Sequence, residues 1–83
     1  MEPRRSVFPG FREMSERRAE LVGELAAARQ RLGLSQTDVA ARMGTSQSAV
    51  ARLESGDSDA RISTVERYAA ALGAELRWRL HHP

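Results

Sequence analysis

The chain contains no cysteine and no lysine. Without thiols it can hold neither a disulfide framework nor a thiolate metal site. Its two histidines, His81 and His82, lie side by side near the C-terminus, where they read as a solvated tail and not as metal ligands. The acidic residues are scattered along helical faces, and no glycine-rich phosphate loop follows a strand pattern. No catalytic constellation is therefore expected, nor any metal or cofactor, and the chain reads as a non-enzyme. No apolar run approaches the ~20 residues that span a bilayer. The charged N-terminus lacks the apolar centre of a signal peptide. The expectation is a cytoplasmic protein with no membrane partner. Eighty-three residues make one small domain, of the size that often gains stability by oligomerising.

All thirteen basic residues are arginine. A guanidinium can fork onto a phosphate or a guanine edge. Codon bias in a GC-rich genome, which the thirteen alanines also suggest, explains the same fact. The net charge of +2 is weak evidence for nucleic acid. Residues 1–33 carry seven arginines against five acids, and residues 34–83 balance six against six. The second part is no generic polycation, so any DNA contact there depends on placed groups more than on bulk attraction.

Residues 1–10, with two prolines and a glycine, read as an irregular arm. Arg4 and Arg5 could reach DNA, although a solvated tail accounts for them too. Val7, Phe8 and Phe11 either pack back on the domain or meet a partner. From Phe11 a helical period begins through Met14, Leu21, Val22, Leu25, Ala28 and Leu32, and Gly33 ends it. A cap at Ser15 and the weak helix former Gly23 leave one long helix or two in tandem open. Further on, Ser63-Thr64-Val65-Glu66 reads as a capping box. It opens a helix with Ile62, Val65, Ala69 and Leu72 as its buried stripe, Tyr68 at its edge and Gly73 at its end. Between Ala74 and Leu80 the period changes from 3.6 to 2. Leu76, Trp78 and Leu80 face one way, which predicts a half-buried strand. A lone strand leaves its backbone groups unpaired, so its partner is expected in a second chain. The domain thus divides into the arm (1–10), a helical body (11–73) and a dimerisation strand with tail (74–83).

The richest segment runs from Ser35 to Gly56, SQTDVAARMGTSQSAVARLESG. Ser35 can cap a helix, with Asp38 as its capping-box partner. Val39, Ala40 and Met43 give that helix an apolar face, and Ala40 is small enough for a close crossing. Gly44 stands where the chain turns, and a left-handed backbone costs glycine almost nothing. Ser46 can cap a second helix, held to the core by Val50 and Leu53. Gln47, Ser48, Ala51, Arg52 and Ser55 remain outward. That face has no large hydrophobe and offers one amide, one guanidinium and small polar groups, a set able to read base edges. The plain alternative, a helical hairpin with a glycine turn, gives no reason for such a face.

The spacing of Gln36, Ala40, Gly44, Val50 and Leu53, followed by Glu54-Ser55-Gly56, resembles the Cro/C1-type (XRE) helix-turn-helix family. Ser35-Gln36 and Thr45-Ser46-Gln47-Ser48 are its characteristic helix openings, and the likeness runs from about Leu25 to Leu72. The resemblance implies an all-α, lambda-repressor-like domain of four to five helices, here with a long N-terminal helix and one C-terminal strand pairing across a dimer. It implies that Gln47 reads a base, with Ser48, Ala51 and Arg52 beside it. Gln36 would bond phosphate and brace Gln47, with Ser46, Ser55 and Arg61 as further backbone contacts. It also implies an ion pair between Arg29 and Glu54. Phage repressors often place asparagine or lysine after the recognition helix, whereas this chain has Ser55, Asp57 and Asp59, so phosphate affinity should be weaker there. The expected function is a homodimeric repressor on an inverted-repeat operator in double-stranded DNA. The helical extension before the domain, the capped fourth helix and the terminal strand also resemble antitoxins of the HigA and HipB kind, which bind a protein toxin and repress their own operon. Residues 7–22, which a stand-alone repressor does not need, separate the two readings.

Overall fold

The computed structural model describes residues 10–56 and 59–82. The arm residues Arg4, Arg5, Val7 and Phe8, and Asp57, lie outside the described residues. Four helices follow in order: α1 (Phe11–Arg31), α2 (Gln36–Met43), α3 (Gln47–Ser55) and α4 (Ile62–Ala71).

The N-terminal stretch forms one continuous helix. α1 runs through Ser15 and Gly23 without a break, starting from Gly10 with no side-chain cap. Only its second half enters the core, through Val22, Leu25 and Arg29. Phe11 and Met14, placed in the helix's apolar stripe by their spacing, are each 47% exposed, and Leu32 is also exposed. Periodicity identifies a helix's apolar face but not how far along that face its neighbours reach. Here they reach back to about Ala19, where a Cβ added to Gly56 would lie 3.5 Å from the alanine's own.

The α2–α3 unit forms as its caps dictate. Ser35 Oγ accepts from the Asp38 amide at 3.0 Å while the Asp38 carboxylate accepts from the Ser35 amide at 2.8 Å, a complete capping box. Gly44 adopts φ +74°, and the Thr45 amide bonds the Ala40 carbonyl at 2.9 Å, closing α2. Ser46 Oγ accepts from the Ala49 amide at 3.1 Å and opens α3. These local bonds end α2, turn the chain and open α3 within a few residues. Val39, Val50 and Tyr68 are the largest fully buried side chains, and Val22, Leu25, Ala40, Leu53, Val65 and Ala69 pack around them.

α4 departs from expectation in three ways. It begins at Ile62, with Arg61 at its N-cap and no side-chain capping bond. Ser63 lies inside the first turn, so it cannot cap the helix. Ile62 stands at the helix tip, 60% exposed and not buried. Tyr68 is the centre of the core and not its edge, with no exposed surface. The period places Tyr68 correctly, three residues after Val65. The polar hydroxyl argued for an edge, but a buried tyrosine needs only one good partner for that hydroxyl.

Beyond α4 the described chain, residues 74–82, forms neither helix nor strand. Among the described residues there is no second strand to supply a ladder. Leu76 packs partly against the core. Trp78 and Leu80 are 55% and 82% exposed, and the Trp78 indole donates to Glu66 Oε2 at 3.3 Å.

Candidate nucleic-acid interface

Glu54 organises the site. Its carboxylate accepts from Arg29 Nε at 2.7 Å and from Arg29 Nη2 at 3.0 Å, a two-pronged pair joining α3 to α1. Arg29 Nη1 also donates to the Leu34 carbonyl at 2.9 Å, pinning the turn before α2. Gln36 Nε2 donates to Glu54 Oε1 at 3.0 Å, and the Tyr68 hydroxyl donates to Glu54 Oε2. One carboxylate therefore ties all four helices together. The ion pair is the one that the family resemblance implied. Tyr68 as its third partner was not implied, although a tyrosine in register with a buried stripe was the available signal.

Burial by itself would push the Glu54 carboxyl up. The hydrogen bonds from Arg29, Tyr68 and Gln36, with the charge of Arg29, outweigh it and hold the carboxyl below its ordinary value of 4.5. The same bonds raise the Arg29 guanidinium further above its ordinary value. Burial, then the carboxylate beside it, keeps the Tyr68 phenol protonated far into the alkaline range. Because Glu54 is more acidic folded than unfolded, the unfolded chain takes up the proton first as pH falls. Its contribution to stability is full above the unfolded value and is lost as pH drops through the folded one. Asp38 shifts the same way, through its bonds to the Ser35 backbone and hydroxyl. Denaturation midpoints are expected to hold between about pH 8 and 6 and to fall below about pH 4. Part of that fall should vanish in Glu54→Gln, and a midpoint constant down to about pH 3 would contradict the assignment.

From this hub the arrangement extends to the surface. Gln47 Nε2 donates to Gln36 Oε1 at 2.6 Å. Gln36 is half-buried, and Gln47 and Ser48 are exposed at the start of α3. Ala51 is half-buried on the next turn, and Arg52 is exposed with no ion-pair partner among the described residues. Several of the remaining site residues already have local roles. Ser46 caps α3, and its hydroxyl lies 3.2 Å from that of Ser48. Ser55 Oγ donates to the Arg52 carbonyl at 2.6 Å. Arg61 supplies the carbonyl that accepts from the Thr64 and Val65 amides at 3.0 and 3.1 Å, while its side chain is exposed. In the loop after α3, Asp59 lies 3.9 Å from Arg18, turned toward α1. Among the described residues no cluster of acids and histidines could hold a metal ion.

A helix-turn-helix family description matches residues 25–79, which spans α2, α3 and α4 and the packed end of α1. The chain belongs to the helix-turn-helix family. It is 45% identical over 76 residues to the antitoxin HigA1 of two Mycobacterium tuberculosis strains, covering 92% of this chain and 51% of that one. HigA3 of Mycobacterium tuberculosis H37Rv is 51% identical over 63 residues, which is 74% of this chain and 58% of that one. An uncharacterized HTH-type transcriptional regulator of Haemophilus influenzae is 36% identical over 62 residues, 75% of this chain and 63% of its own. The chain thus spans about half the length of the HigA1 relatives it matches. No solved structure gives a significant match. As a member of the family, the chain presents α3 in the position of a recognition helix, with α2 packed across it.

Proposed function

We propose that the chain is a sequence-specific DNA-binding transcriptional regulator that acts as a homodimer on an inverted repeat. The observation that carries this reading is the outward amide of Gln47, held at the first turn of α3 by Gln36. An exposed glutamine costs side-chain entropy to hold still, so a braced one is prepared for a partner. Its carbonyl and its remaining amide hydrogen match N6 and N7 of adenine. Ser48 and Ala51 lie beside it for neighbouring bases, and Arg52 extends to guanine or phosphate. Gln36, Ser46, Ser55 and Arg61, with the first amides of α2 and α3, face the backbone. The dimer contact is assigned to Leu76, Trp78 and Leu80, pairing with their copies as an antiparallel ribbon. Such pairing would cover an indole that one chain leaves half open.

The test is selection of bound sites from a random duplex pool. Gln47→Ala is expected to lose roughly 1–3 kcal/mol of preference at one base pair per half-site, with nonspecific binding nearly unchanged. Retention of the full preference would show that α3 is not the reader.

A protein toxin is the second partner we propose, on the printed names of the HigA relatives. The exposed Phe11 and Met14 of α1 lie before the matched family segment and supply apolar surface for it. The cheapest test is whether the native protein co-purifies with a small basic partner. No described helix is long and apolar enough to cross a membrane, and a cytoplasmic location follows from the proposed work on DNA.

A further inference from the structure

Tyr68 is fully buried and the Glu54 side chain is 9% exposed, yet both lie on a chain of hydrogen bonds ending at Gln47. The direction of each bond in that chain is set by the one before it. An ionised carboxylate can only accept. Glu54 has both oxygens occupied by donors: Arg29 and Gln36 on Oε1, Arg29 and Tyr68 on Oε2. Gln36 must therefore turn its nitrogen inward, 3.0 Å from Glu54. Its carbonyl is then left facing outward, where it accepts from Gln47 Nε2 at 2.6 Å. One amide hydrogen of Gln47 is committed, and one hydrogen and the carbonyl remain for a ligand.

The opposite polarity would give a different reader. Were Gln36 to present its nitrogen to Gln47, the Gln47 carbonyl would be engaged and both its hydrogens would face the groove. Two donors suit guanine, whose N7 and O6 both accept. One donor and one acceptor suit adenine, with N7 accepting and N6 donating. The buried end of the network thus decides which purine the exposed end fits.

We propose that Glu54 and Tyr68 are positioning residues for base recognition: they set the amide polarity of Gln36 and, through it, the donor–acceptor edge that Gln47 offers to DNA. Glu54 supplies the polarity. Tyr68, which has no exposed surface, holds the carboxylate in place from α4. The low carboxyl pKa keeps Glu54 an acceptor at neutral pH. The inference rests on Gln47 as the base reader.

The test joins binding to side-chain dynamics. Adenine-over-guanine preference is measured on sites selected from a random duplex pool, for the wild type, Gln47→Ala, Tyr68→Phe and Glu54→Gln. Tyr68→Phe keeps the buried ring, so it remains informative if Glu54→Gln unfolds. Both are expected to reduce the preference about fivefold or more, with nonspecific binding unchanged. Nuclear magnetic resonance of the glutamine side-chain amides in the free protein gives a second readout. The exposed Gln30 on α1 serves as internal reference, and Gln47 should be more ordered than Gln30 in the wild type and approach it in Tyr68→Phe. A purely structural role for Tyr68 would lower the melting temperature without moving either quantity. If Gln47→Ala abolishes the preference while Tyr68→Phe and any folded Glu54→Gln protein keep it, the relay is overturned and the base reader stands. If Gln47→Ala keeps the preference, the reader itself is wrong and the relay falls with it. A wild-type Gln47 as mobile as Gln30 also overturns the proposal.

Discussion

Replacing Glu54 by alanine is expected to remove about 3–5 kcal/mol of folding stability, the range for breaking one side of a buried pair. The variant would leave the buried Arg29 without its two carboxylate bonds. It would also leave the Tyr68 hydroxyl and the Gln36 amide without their acceptor. A chain of this length has a total stability of roughly 4–12 kcal/mol, so a large share of the molecules should unfold if the native stability lies at the low end of that range. Arg29→Ala should be of similar severity. The double variant should cost less than the sum of the two, because the second loss removes a group already stranded. Urea denaturation of the four proteins measures the coupling, and a value near zero would remove the pair from the account. Replacing both partners by well-fitting apolar side chains should be much milder, because the penalty comes from unpaired buried charge and not from lost attraction.

Inserting five base pairs between the half-sites of the selected operator should lower affinity at least a hundredfold, about 2.7 kcal/mol. A ribbon formed by two copies of residues 76–80 would place both recognition helices on one side of the dimer. They would lie about 34 Å apart, one turn of B-DNA. Half an extra turn carries the second half-site to the opposite face, and a rigid ribbon cannot follow. The steep salt dependence of a phosphate-rich interface should persist, with a smaller slope for the single engaged subunit. Deleting residues 75–83 should abolish the difference between the two sites, because it removes the link that makes spacing matter. Competition binding measures both proteins on both sites. Equal affinity of the full chain for the two sites would mean flexible linkage or monomeric binding.

Much of this molecule could be read without coordinates, and the legible parts share a cause. The capping box at Ser35 and Asp38, the left-handed Gly44 and the cap at Ser46 are made within a few residues of chain. Their bonds depend on local geometry that residue identity specifies. The buried faces of α2 and α3 follow from the helical period for the same reason. The Arg29–Glu54 pair, 25 residues apart in the chain, was legible only through the family resemblance.

The tertiary structure decided what depends on where neighbours end. Periodicity assigned Phe11, Met14 and Ile62 to apolar faces, but burial requires something opposite, and these three side chains are left exposed. Tyr68 could be placed on its helix, but its partner lies on another helix 14 residues away. No local rule joins them. The alternation at Leu76, Trp78 and Leu80 marks a segment that can pair, but a strand exists only when a second edge supplies its hydrogen bonds. The sequence alone determined the turn chemistry, the apolar faces of α2 and α3 and the polar outward face of α3. Tertiary packing decided that one buried carboxylate would tie four helices together and reach the surface through two glutamines, because that network closes only when all four helices are in place.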